Sequence, residues 1–181
     1  MRRLAFWRGV LIGAALLSAG CGYTTRSMIA NSYRTIYIAP FASTIDITQE
    51  SDVGNKYKVY RPGLETDVSK SIINKFLFDG NVKPVNMENA DLELKGELIE
   101  FRRDPLRYTT SDEVEEYRLS IIVNISLWDR AKDKMLWEER GFTADSSYFT
   151  RGASAKTEEV AIKDAIADLG RRVVARVVEE W

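Results

Sequence analysis

The chain is 181 residues long, 45% hydrophobic and 29% charged, a composition that fits one folded globular domain and leaves little room for a disordered chain. With one cysteine and no histidine, it cannot form an intramolecular disulfide, build a thiolate or imidazole cluster for zinc, copper or haem, or use the most common general base. Three of its 26 basic side chains, Arg2, Arg3 and Arg8, fall in an acid-free leader, so the remaining 23 face 27 acidic ones; a net charge of about −4 gives no global reason to bind nucleic acid.

Arg2 and Arg3 precede an apolar run from Val10 to Ala19, which is too short to cross a bilayer core of about 30 Å and fits the apolar region of a signal peptide. The run ends Leu17-Ser18-Ala19-Gly20-Cys21. This resembles the bacterial lipobox, with the departure that Leu17 stands four residues before the cysteine and Ser18 takes the usual leucine place. The resemblance implies that residues 1–20 are removed and that Cys21 carries acyl chains, which at about 0.8 kcal/mol per buried CH₂ make a lasting anchor when several are present. A plain secretory signal followed by a free thiol is the alternative, and an unpaired thiol is ill suited to an oxidising compartment. Gly22, not aspartate, follows the cysteine. By resemblance to the enterobacterial sorting rule this implies the periplasmic face of the outer membrane.

Residues 21–33 read as a lipidated cysteine and polar tether, and 34–181 as a single periplasmic α/β domain. Thr35 to Phe41 is β-branched and aromatic and meets Pro40, so it predicts a short strand. Residues 42–61 read as a long loop whose tail, Tyr57 to Tyr60, is extended. After Pro62-Gly63, Leu64, Val68, Ile72 and Phe76 recur every four residues with Ile73 and Leu77 beside them, predicting a helix that ends at Asp79-Gly80. Val82 to Val85 is a short extended piece, and Asn86 to Asp91 a polar turn. Leu92, Leu94, Gly96 and Leu98 alternate with charged residues, and the apolar phase then flips near Ile99 and Phe101, the mark of a β-bulge. Tyr117 to Leu127 alternates cleanly, with Arg118, Ser120, Ile122, Asn124, Ser126 and Trp128 on the outward phase. Asp129 to Lys134 turns, and Met135 to Phe149 returns as its partner strand. Ile162, Ile166, Leu169, Val173, Val177 and Trp181 form the apolar stripe of a long C-terminal helix. The expected class is α+β: a mixed sheet of about four strands with two helices packed on one face.

The order of Cys21-Gly22-Tyr23, the strand Ile36 to Phe41, Pro62-Gly63-Leu64-Glu65, Phe78-Asp79-Gly80, Ala90-Asp91-Leu92, Glu116-Tyr117-Arg118-Leu119 and Leu136-Trp137-Glu138 resembles the lipopolysaccharide-assembly lipoprotein family over nearly all of the mature chain. A loop at 42–61 longer than the family's usual connection is the one departure. The resemblance implies a non-enzymatic subunit that plugs a large outer-membrane β-barrel, helps it assemble, and binds the lipopolysaccharide being inserted into the outer leaflet. A small outer-membrane lipoprotein regulating another envelope machine, such as a cell-wall synthase, is the alternative.

Arg102, Arg103 and Arg107 flank Asp104-Pro105-Leu106 where the strand is expected to end, and planar guanidinium forks suit lipid A phosphates. The competing reading is a solvated strand end balanced by Asp104, Asp112, Glu113, Glu115 and Glu116. Arg130, Lys132 and Lys134 in the hairpin turn carry the same two readings. Outward Ile122 and Trp128 offer a contact to a barrel wall or acyl chains, or are covered by the 42–61 loop. The acidic run has neither calcium-loop spacing nor an environment that separates two carboxyl pKa values. No catalytic residue, metal or cofactor is expected. Changing Cys21 to serine is expected to abolish incorporation of a fatty-acid analogue and leave an uncleaved or soluble precursor; a labelled Cys21→Ser protein that still fractionates with the outer membrane would refute the anchor.

Overall fold

The structure, a computed structural model, describes residues 33–45 and 61–179. The leader, Cys21, most of the tether, residues 46–60 with the extended tail expected there, and Trp181 lie outside the described residues. β1 (Thr35–Ile38) turns Ile36 and Ile38 inward, and β2 (Ala42–Ser43) follows after Pro40. α1 (Leu64–Asp79) buries Leu64, Val68, Ile72 and Phe76, the stripe read from their spacing. Gly80 ends it at φ +74°, its N–H donating to the Phe76 carbonyl; the left-handed turn costs glycine nothing. Leu77 and Phe78, one step round the helix, stay 62% and 89% exposed.

After β3 (Lys83–Pro84) and a short 3₁₀ turn at Met87–Asn89, three long strands follow: β4 (Leu92–Tyr108), β5 (Val114–Asp129) and β6 (Lys134–Phe149). α2 (Glu158–Val178) completes the described chain; Thr157 caps it by accepting from the Val160 N–H, and Glu158 and Glu159 suit the positive end of its dipole. The sheet order is β3-β1-β4-β5-β6, with β2 also beside β4. β1 lies parallel to β3 and β4, whereas β4, β5 and β6 are antiparallel. Six strands therefore form the sheet, not about four, because β2 and β3 are two residues each and too short to leave an alternation in the sequence. Both helices cover one face, over a core that includes Leu94, Leu98, Phe101, Ile121, Val123, Leu169 and Val173. Among the described residues no helix is long and apolar enough to cross a membrane.

The bulge falls where the phase flips, between Leu98 and Glu100. It lets Leu98 and Phe101, both about 1% exposed, face the core from odd and even positions of one strand. The other face departs from expectation in one respect. Ser120, expected outward, is buried, and its hydroxyl donates to the Asp145 carboxylate. It stands between Arg102 on β4 and Asp145 on β6, so longer cross-strand neighbours shield it.

Gly96 marks a close approach. A Cβ there would lie 2.1 Å from Cε1 of Phe41, whose buried ring fills the gap between β1 and β2. The Phe41 N–H is held in turn by Ser69 Oγ on α1. Replacing Gly96 with valine is expected to destabilise the protein by about 1–3 kcal/mol through overpacking. Pairing it with Phe41→Ala should recover part of the loss, so that the two changes are not additive. Denaturant unfolding reads this as a lowered midpoint at constant slope; a Gly96→Val protein as stable as the parent would refute the contact.

Candidate functional site

The three β4 arginines do not form one cluster. Neighbouring residues on a strand point to opposite faces, and the strand runs on through Pro105 to Tyr108 instead of ending among them. Arg103 turns to the helix face, where its Nη1 lies 2.8 Å from Glu158 Oε2 and its guanidinium stacks 5.3 Å from the Tyr117 ring. Tyr117 stacks on Tyr148, whose hydroxyl donates to the same Glu158 oxygen at 3.1 Å. Burial, and then the Glu158 charge, push the Tyr148 phenol up to about 12. Arg103 is thus engaged in docking the first turn of α2.

Arg102 faces the other way, its Nε 3.2 Å from Asp104 and 4.0 Å from Glu100. Arg107 lies 3.7 Å from Glu116 on β5 and 5.5 Å from the Phe149 ring centroid. Both side chains are substantially exposed, at 44% and 60%, so these ion pairs are of the weak, exchangeable kind. Within the acidic run, Glu113 holds Arg151 at 2.7 Å and Glu116 serves Arg107, which places these carboxylates in charge balance. Among the described residues no group of three or more acidic, histidine or cysteine side chains is close enough to hold a metal ion.

Arg130, Lys132 and Lys134 sit at the opposite end of the sheet. Leu92 pairs with Asp129, and Arg102 with Ser120; nine residues of β5 separate the two positions, about 30 Å at strand rise. One head group cannot span both sets. The turn is organised by Asp129, which is 1% exposed and accepts from the Tyr33 hydroxyl at 2.7 Å and the Lys132 backbone N–H at 3.1 Å, with Lys132 Nζ 3.0 Å away. Those bonds, led by that from Tyr33, hold its carboxyl down to about 2. Nearby, Asp91 accepts from the backbone N–H groups of Arg34 and Thr35. Together the two aspartates fasten the start of β1 to the sheet. The sequence marked Asp91 and Asp129 only as turn residues.

Trp128 and Ile122 lie on the open face as expected, but both are half-buried. The indole Nε1 of Trp128 donates to Ser126 Oγ at 3.1 Å, and Lys95 Nζ lies 4.8 Å from its ring centroid. Trp128 borders a shallow concavity of about 550 Å³ that also touches Pro40, Gly96, Asn124 and Arg140.

Residues 33–177 match the model of a family described as lipopolysaccharide-assembly, LptE. No curated protein gives a significant sequence match. Among solved structures, a Chlamydia trachomatis hypothetical protein superposes with a TM-score of 0.53 at 13% identity, covering 81% of this chain and 96% of its own. A Xanthomonas campestris protein gives 0.52 at 12% identity, covering 81% and 82%. These two share the fold. Rare lipoprotein B from Shewanella oneidensis gives 0.45 at 13% identity, covering 81% and 92%.

The Asp129 carboxyl titrates lower in the folded chain than its ordinary 3.8. Its contribution to stability is therefore complete above about pH 4 and is lost as the pH falls towards 2. Asp129→Asn is expected to flatten the acid limb of the unfolding midpoint between pH 4 and 2. An unchanged pH dependence would remove Asp129 as the fastening of β1.

Proposed function

The chain belongs to the lipopolysaccharide-assembly family of outer-membrane lipoproteins, and we propose that its part in that process is to plug a large β-barrel translocon and present a basic surface to the passing glycolipid. The observation that carries this reading is the family match across residues 33–177, which takes in every described strand and all but the last residue of α2. Acyl chains on Cys21 hold the protein at the periplasmic face. The barrel contacts the open face of the sheet, where Ile122 and Trp128 offer apolar area among polar side chains. Lipid A phosphates are met at the far end of that face by Arg102 and Arg107, whose ion pairs are exposed and replaceable. Arg103 supports them indirectly by fixing α2, and Arg130, Lys132 and Lys134 stand too far away to share the same head group. Nothing among the described residues favours the alternative of a cell-wall synthase regulator.

Two measurements test this. Tagged protein drawn from detergent-solubilised outer membrane should bring a large β-barrel with it; recovery without one would refute the plug. Purified lipopolysaccharide should bind the Arg102→Glu, Arg107→Glu double variant at least about tenfold more weakly, with a smaller salt dependence. A charge-assisted contact contributes about 1.5–3 kcal/mol when well formed and less in water, and 1.4 kcal/mol is a factor of ten. Equal binding would reduce the role to a scaffold, and loss of barrel co-purification would put the arginines in the protein interface.

A further inference from the structure

We infer that the end of the molecule from which the tether leaves rests on the membrane, with Leu77 and Phe78 inserted into the lipid interface. This rests on the acyl anchor proposed above. β1, α1 and β3 form a parallel crossover, in which the helix runs against the strands and its C-terminus returns to the end where they begin. The register agrees: the Lys83 N–H donates to the Arg34 carbonyl at 2.9 Å, and only three residues lie between Asp79 and Lys83. The last turn of α1 is thus at the end where Tyr33 enters the fold. Between Cys21 and Tyr33 lie about twelve residues, which reach at most about 40 Å when extended. Such an anchor keeps this end within about 40 Å of the bilayer surface.

Phe78 and Leu77 are the two most exposed large apolar side chains among the described residues, at 89% and 62%. Neither is needed by the core, since the stripe of α1 is complete without them. Lys75, Asp79, Arg171, Val174 and Glu179 line the shallow hollow beside Phe78. At the same end, Lys83 and the turn residues Lys132 and Lys134 are exposed. Acids stand there too: Glu88, Asp133 and Glu179 are exposed, while Asp129 is buried on Tyr33 and pairs with Lys132. Two exposed apolar side chains among charges of both signs fit the lipid–water interface, and they are too few to form the core of a protein interface.

The test uses the full-length acylated protein, in which Cys21 leaves no free thiol, reconstituted in vesicles of phosphatidylethanolamine and phosphatidylglycerol. Phe78→Cys, or Tyr108→Cys at the opposite end, carries an environment-sensitive fluorophore. A blue shift at position 78, with loss of emission when brominated lipids are included and neither change at 108, is the expected result. Membrane-bound protein whose label at 78 is no more quenched than that at 108 would overturn the inference and leave the anchor intact. Shielding of 78 from aqueous iodide without bromolipid quenching, in protein isolated with other outer-membrane components, would also overturn it in favour of a protein contact. Protein that fails to float with the vesicles would overturn the anchor itself, and this inference with it.

Discussion

Along the pairing of β4 with β5, from Leu92 opposite Asp129 to Tyr108 opposite Val114, apolar side chains must keep to the one face that the helices cover. A strand with strict alternation cannot do this when its sequence puts Leu98 and Phe101 three residues apart. One extra residue at Ile99 resolves the conflict, and each large side chain it brings inside contributes roughly 1.5–3 kcal/mol. Other features depend on this register. It sets Phe101 opposite Ile121 and Leu94 opposite Leu127, and it leaves Gly96 where the ring of Phe41 has to pass. It also decides which β4 arginine faces α2 and which faces outward.

The same pairing gives the molecule a long axis with chemically different ends. At one end Asp91 and Asp129 fasten the entry of β1, and Leu77 and Phe78 stand exposed among charges of both signs. At the other, arginines and carboxylates pair across β4, β5 and the start of α2. Net charge says nothing of this arrangement, because it depends on which strand end each residue occupies. In the proposed role this axis sets orientation, with the tether end towards the membrane and the arginine-bearing end away from it.

Features with a local period were legible in the sequence. Leu64, Val68, Ile72 and Phe76, and likewise Ile162, Ile166, Leu169, Val173 and Val177, repeat at helical spacing and are all buried. The bulge was legible because it inverts a long alternation. Strands of two residues, such as Lys83–Pro84, leave no periodic trace. The ties that shape the candidate site were not legible either. Tyr33 finds Asp129 across 96 positions and Arg103 finds Glu158 across 55, and no local pattern announces such partners. Arg102, Arg103 and Arg107 looked like one cluster because adjacency in sequence was read as adjacency in space, whereas strand geometry sends Arg102 and Arg103 to opposite faces.

The Arg103–Glu158 contact also sets where the helix layer stops. α2 begins at Glu158, opposite Arg103, yet β4 runs five residues further and β5 and β6 accompany it. Beyond that line the sheet has no helix over it, so Leu106 and Tyr108 remain exposed and the ribbon is held mainly by cross-strand pairs. Such a ribbon could recruit another chain along its edge, since among the described residues nothing pairs with the outer side of β4 past Leu98. Its sequence discourages that. Pro105 has no N–H to offer, and the register breaks between Pro105 and Arg107, and again before Tyr108, so the edge is irregular from Pro105 onward. The arginines held at this end in exposed, exchangeable pairs are Arg102, Arg107 and Arg151.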